Sequence, residues 1–272
     1  MTTTRLNKNA ILIPVLLIGS AAFIYILTRR VGSTLWKRGV EEGLDKPSKP
    51  DMKPEVKKPD KIGLDGHYLP FYGFTIVSML TDRLQMEDVI KYIKSTEALS
   101  KYLAPLPISS YHVTIFDIFT QRSVPEKYRP KSGLVPSKHW AKALENFRSD
   151  MTESQMMCDK IQGQNSFRPN NFKFQPKLGR PLLVEGTITN YQEVTRVRNN
   201  LTSLLKKDDG NRVFHFTLGY IYRDVDRQDL GIIDKELVGL WKLLNTEYEL
   251  DQPNVYYFET MEEFIPYKTL LI

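Results

Sequence analysis

Apolar positions recur along this chain with two periods, two residues in some segments and three to four in others, and the periods divide it into strands and helices. Phe74 to Leu80 is a nearly unbroken apolar run, which predicts a buried strand. From Leu84 to Leu99 the spacing of Val89, Ile90, Ile93 and Leu99 predicts an amphipathic helix. Tyr111 to Phe119 alternates, with Val113 and Ile115 on one face and His112 and Thr114 on the other. Ser137 is placed to cap a helix through Trp140, Leu144 and Phe147. Leu182 to Thr189 reads as a strand. Asn190, with Glu193 three residues on, is a cap signature for a helix through Val194, Val197, Leu201 and Leu204. Asp208-Asp209-Gly210-Asn211 turns the chain into a further strand. There Phe214, Phe216, Leu218 and Tyr220 line one face, and His215 and Thr217 the other. Leu230 to Leu244 completes the helices and Asn254 to Phe258 the strands. Such segments recur on both sides of the middle, so a duplicated α+β architecture is expected. Residues 121–138 and 167–180 show neither period and read as basic, solvated loops, able to fold over a cleft through Arg122, Lys127, Arg129, Lys131, Arg168, Lys173, Lys177 and Arg180.

The N-terminal quarter has a different pattern. Ala10 to Leu27 is an uncharged run of 18 residues, at the short end of the roughly 17 to 25 that span a bilayer as a helix. A cleaved signal peptide is the competing reading, since Ser20-Ala21-Ala22 offers small residues. The anchor is favoured because apolar residues continue through Leu27 and Arg29, Arg30, Lys37 and Arg38 follow as a basic stop. Only Arg5, Lys8 and the terminal amine stand on the other side, so the positive-inside rule puts the C-terminal part in the cytosol. The organisation expected is a tail at 1–9, a single transmembrane helix at 10–27, a basic juxtamembrane segment and Lys/Pro-rich linker at 28–60, and one domain at 61–272.

Charge sharpens the picture once it is divided. The net charge of +6 is concentrated in residues 1–60, which hold 11 Lys+Arg against 6 Asp+Glu, leaving 27 against 26 in the remainder. A nearly neutral domain argues against long RNA or DNA as an obligatory partner, because phosphate contacts need a basic excess. The single cysteine, Cys158, rules out an internal disulfide and a thiolate zinc cluster. The sequence carries no signal of oligomeric state.

Candidate chemistry comes from a four-residue pattern that occurs twice, His112-Val113-Thr114-Ile115 and His215-Phe216-Thr217-Leu218, 103 residues apart. On each strand an imidazole and a hydroxyl share a face. Two such faces closing on one cleft suit a phosphate, since imidazole exchanges a proton near neutrality and a threonine hydroxyl donates to a phosphoryl oxygen. Either copy alone is unremarkable, but two of the chain's four histidines fall in matched contexts. The other two, His67 beside Gly66 and His139 beside Trp140, have no matching threonine and read as structural or exposed. Tyr111 and Tyr220 flank the motifs, and alternation assigns both to the core face. Asn200-Leu201-Thr202 fits a glycosylation sequon but falls within a helix, and in a cytosolic domain it stays unused.

The paired His-x-Thr strands resemble the two-histidine phosphoesterase superfamily of RNA-ligase-like and cyclic phosphodiesterases. Asp65-Gly66, Pro70 to Thr75, Ser109-Ser110-Tyr111-His112-Val113-Thr114, Phe214 to Thr217 and Phe258 to Met261 are similar to one of its less characterised branches. The resemblance implies a two-lobed α+β fold with an internal pseudo-twofold axis, its antiparallel sheets flanked by helices. It also implies metal-independent chemistry on phosphodiesters, with no cofactor. His112 and His215 are then the catalytic pair, Thr114 and Thr217 the phosphate ligands, and Ser110, Arg122 and Arg129 accessory candidates. The expected substrate is a small nucleotide or an RNA terminal phosphate, most plausibly a 2′,3′-cyclic phosphate, with His215 as base and His112 as acid. A cleft that binds such a ligand without turning it over is the alternative reading, and an interaction protein with a decayed site is a third, disfavoured by the intact motifs.

Overall fold

The computed structural model describes residues 61–82, 84–128, 145–208 and 213–271. The anchor and linker expected over 1–60, the cap at Ser137 with Trp140 and Leu144, His139, Arg129, Lys131 and the turn residues 209–211 lie outside them. Among the described residues no helix is long and apolar enough to cross a membrane.

Among the described residues nine strands, all paired antiparallel, form two sheets. They are β1 (Gly73–Met79), β2 (Leu103–Pro105), β3 (His112–Thr120), β4 (Asn165–Lys173), β5 (Pro181–Ile188), β6 (Phe214–Ile221), β7 (Tyr248–Leu250), β8 (Asn254–Phe258) and β9 (Phe264–Pro266). One sheet runs β3-β1-β8-β9 and the other β2-β6-β5-β4-β7. The helices are α1 (Leu84–Ser95), α2 (Glu97–Ser100), α3 (Glu145–Cys158), α4 (Tyr191–Leu205) and α5 (Leu230–Trp241). Each sheet holds one His-x-Thr strand, β3 at an edge and β6 one place in, and the two strands touch.

The mixed α+β class and the antiparallel sheets agree with the sequence reading, whereas the division of the chain does not follow its middle. β2 from the first half joins the second sheet beside β6, and the C-terminal β8 and β9 join the first. Helix α4 follows β5 of the second sheet but packs on β3 of the first. The exchange makes one core. Tyr111, fully buried before β3, sets its ring edge-on against Phe216 of β6 at 6.3 Å and donates its hydroxyl to the Leu218 carbonyl. Phe216 in turn meets Phe167 and Tyr248 at 5.4 and 5.5 Å. On the first sheet Phe74 is ringed by Phe119, Phe147 and Tyr257. Edge-to-face aromatic pairs of this kind add about 0.5–1.5 kcal/mol each beyond the area they bury.

Three expectations need correction. The predicted helix 84–99 is two, because the chain breaks at Thr96 before α2. Residues 167–180 are not all loop. Asn165–Lys173 is strand β4, buried over its first three residues where β7 and β5 flank it, with Pro169 at the irregularity opposite Gly186. A proline there removes no regular ladder bond, and the exposed outer half carries the polar residues that disguise the strand. Its basic side chains are engaged away from the cleft, Arg168 with Glu247 and Lys173 with Glu185. Asn190 does occupy the N-cap of α4, but its side-chain amide donates to the Gln162 and Gln164 carbonyls instead of the cap being closed by its oxygen.

Candidate active site

Strand β3 does not alternate strictly. Opposite the seven residues of β1 it places nine, with Thr75 against Asp117 and Val77 against Thr114, so one extra residue enters at each of two irregularities. An extra residue shifts the side-chain parity of everything beyond it. The polar positions 112, 114, 117 and 120 therefore share one face, and the apolar doublets Ile115-Phe116 and Ile118-Phe119 turn inward, all four buried. A bulge leaves main-chain groups without ladder partners. Here Lys207, just beyond the C-terminus of α4, donates its ammonium to the carbonyls of Asp117 and Ile118.

Strand β6 carries one such irregularity, where Leu182 and Leu183 of β5 face Gly219 and Thr217. His215 and Thr217 precede it, and beyond it the parity reverses. Tyr220 consequently lines the cleft instead of the opposite face that alternation predicts, while staying buried in the core as that reading expects. Gly219 is required at this point, since a Cβ there would lie 2.2 Å from the Ala104 carbonyl of β2.

The two faces enclose one cavity of about 150 Å³. His112, Thr114, Asp117 and Thr120 line it from the first sheet, and His215, Thr217 and Tyr220 from the second. Lys61 and Arg198 add two cations, with Phe71, Phe258 and Phe264 among the apolar walls. The volume is small beside the roughly 300–1,000 Å³ of pockets that engulf whole drug-sized ligands. It suits a phosphoryl group with part of a sugar, the remainder of the ligand lying outside.

Both imidazoles are oriented in the same way. Nδ1 of His112 lies 2.6 Å from the Ser110 carbonyl, and Nδ1 of His215 lies 3.0 Å from the Val213 carbonyl, in each case two residues back. A carbonyl only accepts, so each Nδ1 carries the proton and each Nε2 is left for proton transfer. This matched bond is the local form of the pseudo-symmetry that the repeated motif predicts. Burial of His112, whose ring lies 4.2 Å from that of Phe264, pushes its pKa down to about 4; the Ser110 carbonyl and Asp117 pull the other way, and His215 and Lys61 reinforce the fall. His112 is therefore a neutral imidazole at pH 7.

The two histidines and both threonines named from the sequence meet at one cleft. Two accessory candidates do not. Ser110 is buried on a 3-10 turn with its hydroxyl donated to the Pro107 carbonyl, so it serves His112 through its main chain. Arg122 is exposed on the turn after β3 and is not among the lining residues. His67 is exposed and pairs with Asp65 at 3.2 Å. Lys61, Asp117, Thr120 and Arg198 escaped the sequence reading. For Asp117 and Thr120 a signal was present, the polar spacing of two, three and three residues broken by apolar doublets. Lys61 and Arg198 have none, since only tertiary packing brings them to the cleft.

Two sheets that each present a His-x-Thr strand to one phosphate-sized cleft are the arrangement that the resemblance to the two-histidine phosphoesterase superfamily implies. More particularly, residues 61–162 match the family described as 2H-phosphodiest, Domain of unknown function (DUF1868). That match includes His112 and Thr114; the place of His215 comes from the structure. Uncharacterized protein 127L of Invertebrate iridescent virus 6 is 27% identical over 229 residues, covering 76% of this chain and 93% of its own. The conserved protein of unknown function ATU0111 from Agrobacterium tumefaciens shares the fold, with a TM-score of 0.53 at 19% identity over 82% of this chain and 93% of that one. Usb1 of Kluyveromyces marxianus is a more distant match, with a TM-score of 0.39 at 11% identity over 72% and 97%.

Proposed function

We propose that the cleft hydrolyses a phosphodiester by His/His general acid–base catalysis without a metal ion, its substrate a 2′,3′-cyclic phosphate on a small nucleotide or an RNA end. The observation that carries this reading is the pair of Nδ1–carbonyl bonds, which leave two proton-transferring Nε2 atoms, one per sheet, on a phosphate-sized cavity. The roles are the reverse of those expected from the sequence. A histidine held neutral is a base, so His112 takes the proton from water and the acid role falls to His215. Water oxygen bonds to phosphorus while the bond to one ribose oxygen breaks. The water proton goes to Nε2 of His112, and Nε2 of His215 gives its proton to the departing oxygen. The product is a phosphomonoester, and proton exchange with solvent resets the pair. Thr114 and Thr217 donate to the non-bridging oxygens as charge develops on them.

The cavity volume and the near-neutral charge of residues 61–272 support a small or terminal ligand. In this reading residues 10–27 tether the domain to a membrane as a single span, with the C-terminal domain facing the cytosol.

The test is turnover of 2′,3′-cyclic nucleotides by the full-length chain in EDTA. Hydrolysis is expected, and His112→Ala and His215→Ala should each lower kcat by about 10²–10⁴-fold, the usual worth of a positioned acid or base. Tight binding without turnover points instead to a binding module, and no reaction across a broad phosphodiester panel overturns the proposal.

A further inference from the structure

The two hydroxyls are uncharged and His112 is neutral at pH 7, so a permanent positive charge for a phosphodiester anion has to come from the cations that line the cleft, Lys61 and Arg198. Lys61 stands where such a charge is wanted. It opens a closed loop in which Gly63 N donates to the His67 carbonyl and Leu69 N to the Lys61 carbonyl, at 2.8 and 3.0 Å. Gly66, at φ +83°, makes the reversal inside it. Tyr68 ties the loop to the second sheet, donating its hydroxyl to the Ala104 carbonyl and meeting the Tyr220 ring edge-on at 6.0 Å. The main chain of Lys61 is thus fixed before any ligand arrives.

Its side chain is fixed as well. The ammonium sits 4.7 Å from the centre of the Phe71 ring and 5.3 Å from that of Tyr220, and it donates to the Tyr220 hydroxyl at 3.4 Å. Phe71 leads into β1 of the first sheet and Tyr220 belongs to β6 of the second, so the cation is held between the two sheets on the wall of the cleft. Aromatic faces orient an ammonium without neutralising it, unlike a carboxylate. The bulge of β6 is what puts Tyr220 on this side.

We infer that Lys61 is the phosphate anchor of the cleft, its ammonium taking a non-bridging oxygen of the substrate's phosphate across from the threonine hydroxyls. The inference rests on the phosphodiester reading of the site. It also assigns Tyr220 and Phe71 as positioning residues that aim the lysine. An ammonium within the field of His112 has a second consequence, since it favours the neutral ring that the base role requires.

The test uses the full-length chain and its Lys61→Met, Lys61→Gln and Lys61→Arg variants, with inorganic phosphate as the binding probe and a 2′,3′-cyclic nucleotide as substrate. Loss of one charge-assisted contact should weaken phosphate binding and lower kcat/KM by about 10- to 100-fold in Lys61→Met and Lys61→Gln. Lys61→Arg, which keeps the charge, should recover most of both. The imidazole resonances of His112 should titrate at higher pH in Lys61→Met than in the wild type, a shift that a merely structural role would not produce. Phosphate binding that is absent from the wild type, or present and unchanged in both neutral variants, overturns the inference. Phosphate binding that depends on Lys61 in a chain without turnover refutes the hydrolytic reading and leaves the anchor standing.

Discussion

His112 pairs an oriented ring with a suppressed charge, and both follow from its immediate surroundings. The Ser110 carbonyl fixes Nδ1 as the donor, and burial against Phe264 makes the imidazolium expensive. The folded-state pKa of about 4 lies below the 6.5 of an unperturbed imidazole, so between these values the unfolded chain binds the extra proton. Stability therefore rises with pH across that window, and the contribution is lost as pH falls from 6.5 towards 4. The urea midpoint should fall over this range by an amount worth on the order of 3 kcal/mol at most, and His112→Asn should flatten that slope. A wild-type midpoint flat from pH 6.5 to 4 would contradict the neutral histidine. The rate profile should show an acid limb in kcat/KM near pH 4, where His112 gains a proton and ceases to act as base. Activity that climbs steadily from pH 5 to 9 rules this assignment out.

Strand β3 shows how an element sets a site. Strict alternation would turn Phe116 and Ile118 towards the cleft beside Thr120, and the two bulges replace that apolar pair with Asp117 while returning Thr120 to the same face. The carbonyls of Asp117 and Ile118 at the bulge are bonded by Lys207, so the register of β3 is tied to a residue at the end of α4. Lys207→Met should remove this donor from both carbonyls and destabilise the fold by about 1–3 kcal/mol, measured by urea unfolding. An unchanged midpoint would show that the bulges hold without it. Most elements were legible because their apolar periods survive: β1, β3, β5, β6, β8 and the helices α1, α4 and α5 all fall where the pattern puts them. Strand β4 was not, because half of it is an exposed edge bearing a proline and two asparagines. The short strands β2, β7 and β9, of three residues each, are too brief to show a period.

At the scale of the molecule, residues 61–271 pair strands that the order of the chain separates, β1 with β8 and β2 with β6. The proposed tether belongs to this scale. The full-length chain should sediment with membranes and resist carbonate extraction, and a chain lacking residues 1–60 should be released. Protease added to intact cells should spare the C-terminal domain, and its digestion there would reverse the assigned topology. The sequence by itself determined the strand and helix periods, the matched His-x-Thr faces and the charge division, all of which depend on residues near one another along the chain. The convergence of the two motifs, the bulges that recruit Asp117 and Tyr220, and the delivery of Lys61 and Arg198 were decided only by the tertiary structure. Each of these needs contacts between segments far apart in sequence, and no local period records where such segments meet.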